Sequence, residues 1–522
     1  MEKEEFELFG FIARRIGVLL VILFGSSYLL YNLQALSGDP LADFKTSRDP
    51  EVESQIKATI EQLRLDVPAP LRYFIWLRGV LGIFIGQPDF GKVRTGEPVG
   101  EILLDAIPVT IRLVFGATII AILLGITIGV VTALRQYSRF DYSMTFVAFL
   151  MFSLPIFWVA VLLKEFMAIQ FNNFLSEPNI PTGWIMGIAG FIALFFGAIL
   201  GRSRRTFWIG FFSAGGFTAL LLTVIDARGW ILEPGIGPIF FAILSLLIAF
   251  GVTQISMGVG HKPSLYASLS VAIVGSISYF PMQALFKRES QLPVLLGGLV
   301  VAFIVAGIAT FIFARIDRGP VYRTASITAF IIGIIMIVDK LMQTWGPYVS
   351  SGEVQYRPVP TIGERNPLIE TTDFWVGLLD TLLHMFLPTI ALTLIGFAGY
   401  VRYTRGTLLD VLNQDYIRTA RAKGLNERTV IMRHAFRNTM IPIVTLLVVD
   451  FASVVGGALI TENVFAWRGM GTLFRQAIGT FDLNLLMGIF FVTATLALVA
   501  NLVADLLYSA LDPRVRVGSG KS

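Results

Sequence analysis

About twelve apolar runs, each close to twenty residues long, follow one another along this chain, and short polar stretches separate them. They lie near 16–35, 109–134, 142–168, 184–200, 206–225, 238–258, 265–286, 292–314, 324–344, 384–403, 441–463 and 484–510. A run of that length covers the hydrocarbon of a bilayer as a helix, and a helix satisfies its own backbone hydrogen bonds there. The pattern therefore predicts an all-α integral membrane protein with about twelve transmembrane helices. Two polar intervals are longer. Residues 36–108 carry helix-start signals at Asp49, Pro50, Glu51 and Glu53, and then PLRYFIWLRGVLGIFIG, whose Tyr73, Phe74 and Trp76 suit a helix lying at the interface. A folded cap without a ligand of its own is one reading of that interval. Residues 343–375 hold Pro347, Pro358, Pro360 and Pro367 and predict irregular chain.

Composition agrees with the pattern: 55% of the 522 residues are hydrophobic and only 15% are charged. Basic residues test the topology, because short cytoplasmic loops collect them. With both termini inside, those loops hold Arg135 and Arg139, Arg202, Arg204 and Arg205, Lys262, then Arg315, Arg318 and Arg323, and the tail adds Arg514, Arg516 and Lys521. Lys287 and Arg288 fall outside, against the rule. Arg14 and Arg15 precede the first run, and Ala35-Leu36-Ser37 loosely resembles a cleavage site. The run exceeds the roughly 7 to 15 residues of a signal core, which predicts a retained span. The net charge of +5 gives no basis for a nucleic-acid partner. There is no cysteine, and His261, His384 and His434 lie far apart in sequence, so thiolate chemistry is excluded and a histidine metal site lacks support.

One stretch breaks the apolar character. DYIRTARAKGLNERTVIMRHAFRN, residues 415–438, contains Arg418, Arg421, Lys423, Arg428, Arg433 and Arg437. Asp415 favours a helix start, and Gly424 suits the left-handed position that ends a helix. Asn426 can cap a second helix, with Glu427 in its first turn, running until Pro442 heads the next span. Ile417, Ala420 and Leu425 would give this hairpin a small apolar surface, and its arginines suit phosphate or acidic partners. Spacing alone leaves two readings open, a solvated loop that orients the protein or a hairpin that receives a push.

RYTRGTLLDVLNQDYIRTARAKGLNERTVIMRHAFRNTMIPIVT closely resembles the cytoplasmic coupling loop of ABC importer permeases, specifically the B-type subunit of dipeptide and oligopeptide transporters. Arg418, Thr419 and Ala420 stand where the wider superfamily has Glu-Ala-Ala, as is usual in the peptide branch. LRLDVPAPLRYFIWLRG, TGEPVGEILLDAIPVTIRL, FSLPIFWVAVLL with a kink at Pro155, TENVFAWRGMGTLF with Arg468 in place of the usual proline, and ADLLYSALDPRVR resemble other parts of the family. The resemblance implies a six-helix type I permease core, residues 1–178 and 376–522, with N-in/C-in topology. Residues 179–375 have no counterpart in an ordinary member and would hold six inserted spans, an even number that keeps the topology on either side. Gly187, Gly190 and the Gly197/Gly201 pair would let these helices pack closely, either against the core or around a lipid or another subunit.

The resemblance further implies the partners: a second permease subunit, two cytoplasmic ABC ATPases carrying ATP and Mg, an extracytoplasmic substrate-binding protein, a peptide substrate and membrane lipid, with the protein in the cytoplasmic membrane. The chain itself would be no enzyme and bind no cofactor or metal. The coupling loop, 404–440, would meet an ATPase through Asp415, Tyr416, Arg418, Thr419, Ala420, Arg421, Ala422, Lys423, Gly424, Leu425, His434, Arg437 and Asn438. The terminal GSGKS is not expected to form a P-loop, since Val515 stands where that motif needs a glycine. Asp450, the charge nearest a span midpoint, would either line the translocation path or bond to a neighbouring helix; Glu462 and Asp505 read as structural, and Asp380 and His384 as interface residues. Two rival readings remain. An ion-coupled secondary transporter usually has its linker between two six-span halves, whereas this basic stretch follows the tenth span. A membrane enzyme such as a lipid-linked glycosyltransferase needs clustered acids or histidines, which here are scattered.

Overall fold

A computed structural model of the chain describes residues 2–41, 52–200, 203–288, 291–369, 372–455 and 458–511. The helix-start signals at Asp49, Pro50 and Glu51, Gly201 of the glycine pair, Arg202, and the tail with Arg514, Arg516, Lys521 and GSGKS lie outside the described residues. Every apolar run is helical, and those over 142–168 and 441–463 are each divided between two helices. Nine helices among the described residues are long and apolar enough to cross a membrane, ten if one bent pair is a single span. Strand pairing among them is limited to an isolated bridge between Lys92 and Pro98. The chain divides into two compact units, one comprising residues 1–165, 361–364 and 385–522, the other 166–360 and 365–384.

The first unit begins with α1 (Glu2–Ser37), α2 (Val52–Leu63) and α3 (Ala69–Leu81). Tyr31 of α1 and Tyr73, Trp76 and Val80 of α3 are buried with Leu483 and Met487. The aromatic segment expected at an interface is thus clamped by its rings, and the Tyr73 hydroxyl bonds Ser27 Oγ at 2.8 Å. Next come α4 (Val99–Leu134) and α5 (Arg139–Ser153) with α6 (Ile156–Ser176), which bend by 102° at their junction, and from Phe166 onward α6 belongs to the second unit. Pro155 explains the break, having no N–H to continue the ladder. The long helix α13 (Phe374–Leu412) enters this unit at Met385. It packs on α4 through glycines: a Cβ at Gly125 would lie 2.3 Å from Tyr400 Cβ, one at Gly129 2.7 Å from Thr404 Cβ, and one at Gly396 3.0 Å from Ala121 Cβ.

The unit ends with α14 (Asp415–Ala422), α15 (Phe436–Val455), α16 (Leu459–Phe465), α17 (Met470–Gly479) and α18 (Leu483–Leu511). Two sequence expectations are corrected here. The span expected over 441–463 is not one helix, because α15 ends at Val455 and α16 is a separate short piece. Pro442 also heads nothing: it lies inside α15, which continues the helical path that begins at Glu427. A proline deletes one backbone donor, and a membrane helix tolerates that loss where neighbours compensate. Glu462 on α16 is fully buried, accepts from Thr110 Oγ1 at 2.8 Å and from the Thr472 amide at 2.9 Å, and leaves no room for a side chain at Gly469 or Gly471.

The second unit holds α7 (Thr182–Leu200) and α8 (Arg204–Ala227), a hairpin in which Gly197, Gly210 and Gly215 press on the facing helix. It also holds α9 (Gly237–Ser256), α10 (Lys262–Leu285), α11 (Leu292–Phe313) and α12 (Arg318–Val349), which share an alanine-rich core including Ala249, Ala267, Ala306 and Ala325. Small residues let the helix backbones approach, but of the glycines singled out in the sequence only Gly197 does so: a Cβ at Gly187 or Gly190 would meet nothing within 4 Å, and Gly201 lies outside the described residues. Asp339 of α12 is fully buried and accepts from the Ile236 amide, Tyr279 hydroxyl and Gln343 amide at 2.7, 2.6 and 2.8 Å. Asp380 likewise accepts from Tyr348 Oη at 2.9 Å and the Asn366 amide at 3.0 Å, and His384 Nδ1 lies 2.8 Å from the Asp380 carbonyl oxygen. Both acids are internal struts, and Asp380 and His384 belong to the unit's own packing.

Candidate functional site: a basic helical hairpin

α14 opens with Gln414 as the extended cap residue and Asp415 in its first turn, so Asp415 acts through its charge and not as a side-chain cap. The segment expected as loop from 404 starts inside α13, which runs on to Leu412. α14 closes on a complete glycine stop. Gly424 has φ +76°, its amide donates to the Arg421 carbonyl at 2.9 Å, and the Leu425 amide reaches the Ala420 carbonyl at 3.4 Å. Asn426 then caps the next helical turn, accepting from the Arg428 amide at 3.0 Å. From Val430 to Ala435 the helix widens to a π turn before α15.

One face of the hairpin is glued down. Ile417, Ala420, Val430 and Ala435 are buried with Ala133 of α4 and Leu408 of α13. The other face is open: Tyr416, Arg418, Thr419, Arg421, Ala422, Lys423, Gly424, Leu425, Arg437 and Asn438 are all exposed, while His434 is half-buried. Leu425 therefore does not share the inner apolar surface with Ile417 and Ala420, contrary to expectation, because the left-handed glycine turns the chain away after it. Arg421 donates to Glu427 across the turn in two bonds, of 2.7 and 3.2 Å, a pairing the sequence had not indicated. The Arg421 guanidinium holds the Glu427 carboxyl below its ordinary range and is itself held up by that bond. Asn438 Nδ2 donates to Tyr416 Oη at 2.8 Å, tying α15 back to α14.

Two further contacts escaped sequence reasoning. Asp141, at the start of α5 and almost fully buried, takes both Nε and Nη2 of Arg405 at 2.8 and 3.0 Å. The residues are 264 apart, so no local pattern joins them. Arg468, where the family usually has proline, donates its backbone N–H to Glu364 Oε1 at 3.0 Å. A proline has no such donor. Asp450, on α15, accepts a hydrogen bond from the Tyr400 hydroxyl of α13.

Many membrane-length helices, and a helical hairpin with one face seated on α4 and α13 and the other exposed and basic, define an all-α multi-pass membrane protein. Residues 125–517 match the family described as the binding-protein-dependent transport system inner membrane component, and the chain belongs to that family. It is 23% identical to the oligopeptide transport system permease protein AppB of Bacillus subtilis over 510 residues, 97% of this chain and 99% of that protein. The dipeptide transport system permease protein DppB of Escherichia coli K12 is 32% identical over 255 residues, 46% of this chain and 75% of DppB. The oligopeptide transport system permease protein OppB of Mycobacterium tuberculosis H37Rv is 38% identical over 192 residues, 37% of this chain and 57% of OppB.

Proposed function

We propose that this chain is one permease subunit of an ATP-driven importer of dipeptides or oligopeptides in the cytoplasmic membrane. A peptide cannot dissolve through hydrocarbon, since each amide stripped of water costs several kcal/mol. It needs a passage that opens alternately to the two sides, and something must drive the opening. The observation that carries the reading is the hairpin: its inner face is fixed to α4 and α13, so a force on its outer face moves the membrane helices. An ATPase subunit, holding ATP and Mg, seats on the residues from Asp415 to Asn438. A second permease completes the passage, a second ATPase serves that permease, and a binding protein delivers the peptide.

In this reading both termini are cytoplasmic and twelve spans cross the bilayer. Besides the ten helices already counted, α7 and α15 make two crossings. Residues 1–178 and 376–522 supply a six-span core, and 179–375 supply six inserted spans. Asp450, anchored by Tyr400, is the acid we assign to the wall of the path. The test is copurification: affinity isolation of the tagged chain should bring down two ATPase chains, another permease and a peptide-binding protein. Isolation with none of them from membranes that express them would overturn the reading.

A further inference from the structure

We propose that a groove between α5 and α13 binds the headgroup and upper chain of an anionic phospholipid. The cavity has a volume of about 220 Å³ and is lined by Phe149, Phe152, Ala398, Val401, Arg402 and Gly406, with Thr145, Ala148 and Arg405 completing it. Its lining combines aromatic and aliphatic side chains with two arginines. Arg402 is exposed and its guanidinium lies over the Phe152 ring, 4.2 Å from the centroid. That packing fixes where the charge sits, at little further cost in side-chain freedom.

No carboxylate lines the groove among the described residues, and the nearby acid, Asp141, is already taken in two bonds by Arg405. The site thus keeps an uncompensated positive charge beside exposed Phe149 and Phe152, which suits an anion with a hydrocarbon tail. Position agrees. α13 has 39 residues, so it is about 58 Å long against roughly 30 Å of hydrocarbon, and its last turns stand clear of the core on the side of the basic hairpin. Arg402 and Arg405 fall ten residues or fewer before the helix end, which the topology of the proposed function puts at the level of headgroups. Basic pockets between membrane helices at this level hold anionic lipid headgroups. A lipid seated there would wedge α5 against the helix that carries the hairpin, and so tie the conformation of the passage to membrane composition.

The groove can be filled without disturbing its walls. A Cβ at Gly406 meets nothing within 4 Å, so Gly406→Leu extends into open space and improves helix propensity. The experiment is native mass spectrometry of the full-length protein, purified with its accompanying subunits from vesicles of phosphatidylglycerol and phosphatidylcholine in equal amounts. Wild type should retain phosphatidylglycerol preferentially. Arg402→Gln and Gly406→Leu should each lower that retention, Arg402→Gln by about fivefold, the effect of one basic contact to anionic lipid. Thermal unfolding identifies which variants are folded, and either one suffices. Equal retention of the two lipids by wild type, wild-type retention by a folded variant, or displacement of the lipid by saturating tripeptide would overturn the proposal.

Discussion

Gly424 shows how much a single backbone angle decides. At φ +76° an ordinary L-residue costs about 1–2 kcal/mol, yet nothing crowds the position within this chain. Gly424→Val should therefore strain the turn and uncouple transport while leaving membrane insertion intact, and Gly424→Asn, which tolerates that region, should keep much of the uptake. Peptide uptake set against ATPase rate in the two variants checks the ordering. Glu427 gives a pH prediction. Its carboxyl is depressed by Arg421, so its contribution is present at neutral pH and is lost only as pH falls through a value below the ordinary carboxylate range. Because the pair is half-exposed, Glu427→Gln should change unfolding stability by less than about 1 kcal/mol. Asp482 has the opposite sign: burial raises its carboxyl, so the folded state loses relative stability as pH rises from the ordinary range toward that raised value. Thermal unfolding between pH 4 and 7 should show a shallower pH dependence of that sign for Asp482→Asn than for wild type. Arg468→Pro removes the donor to Glu364 and should raise hydrogen exchange over 361–364.

At the scale of elements, the α4–α13 seam sets the account's sharpest contrast. Gly125→Leu must push Tyr400 aside and should destabilise the protein by about 1–3 kcal/mol, whereas Gly116→Leu on the same helix meets open space and should be nearly neutral. Melting temperatures of the two variants in detergent compare them directly. Much at this scale was legible in the sequence. Hydropathy located each apolar helix because burial in hydrocarbon is a property of composition, and Gly424 and Asn426 announced the hairpin because turn chemistry is local. Ends were harder. α13 extends beyond the expected 384–403 at both ends, to Phe374 and Leu412, because polar residues continue it as helix, and Gly456-Gly457, between α15 and α16, sit inside an apolar run that reads as continuous. Glu462 read as structural, but its partner was not legible: only the fold brings Thr110, more than 350 residues earlier, to bond it. Long-range pairs such as Asp141 with Arg405 leave no trace in spacing, which is why the anchor that holds α13 to α5 was missed.

For the whole molecule, the six inserted spans proposed over 179–375 are an even number, which would leave the orientation of everything after them unchanged. The compact units do not part at those numbers: the first turns of α13 lie in one unit and the remainder in the other, and residues 361–364 return to bond the turn around Phe465 and Arg468. A shortened chain that keeps both features should still insert and assemble, and one that cuts into α13 should not. The central claim is that a separate nucleotide-burning motor works the passage through the hairpin. Its most direct test is uptake of a labelled oligopeptide into proteoliposomes holding the purified transporter, with and without the ATPase subunits. ATP-dependent uptake should fall to background when those subunits are omitted; peptide flux at the full rate without them would show that no such motor drives the passage.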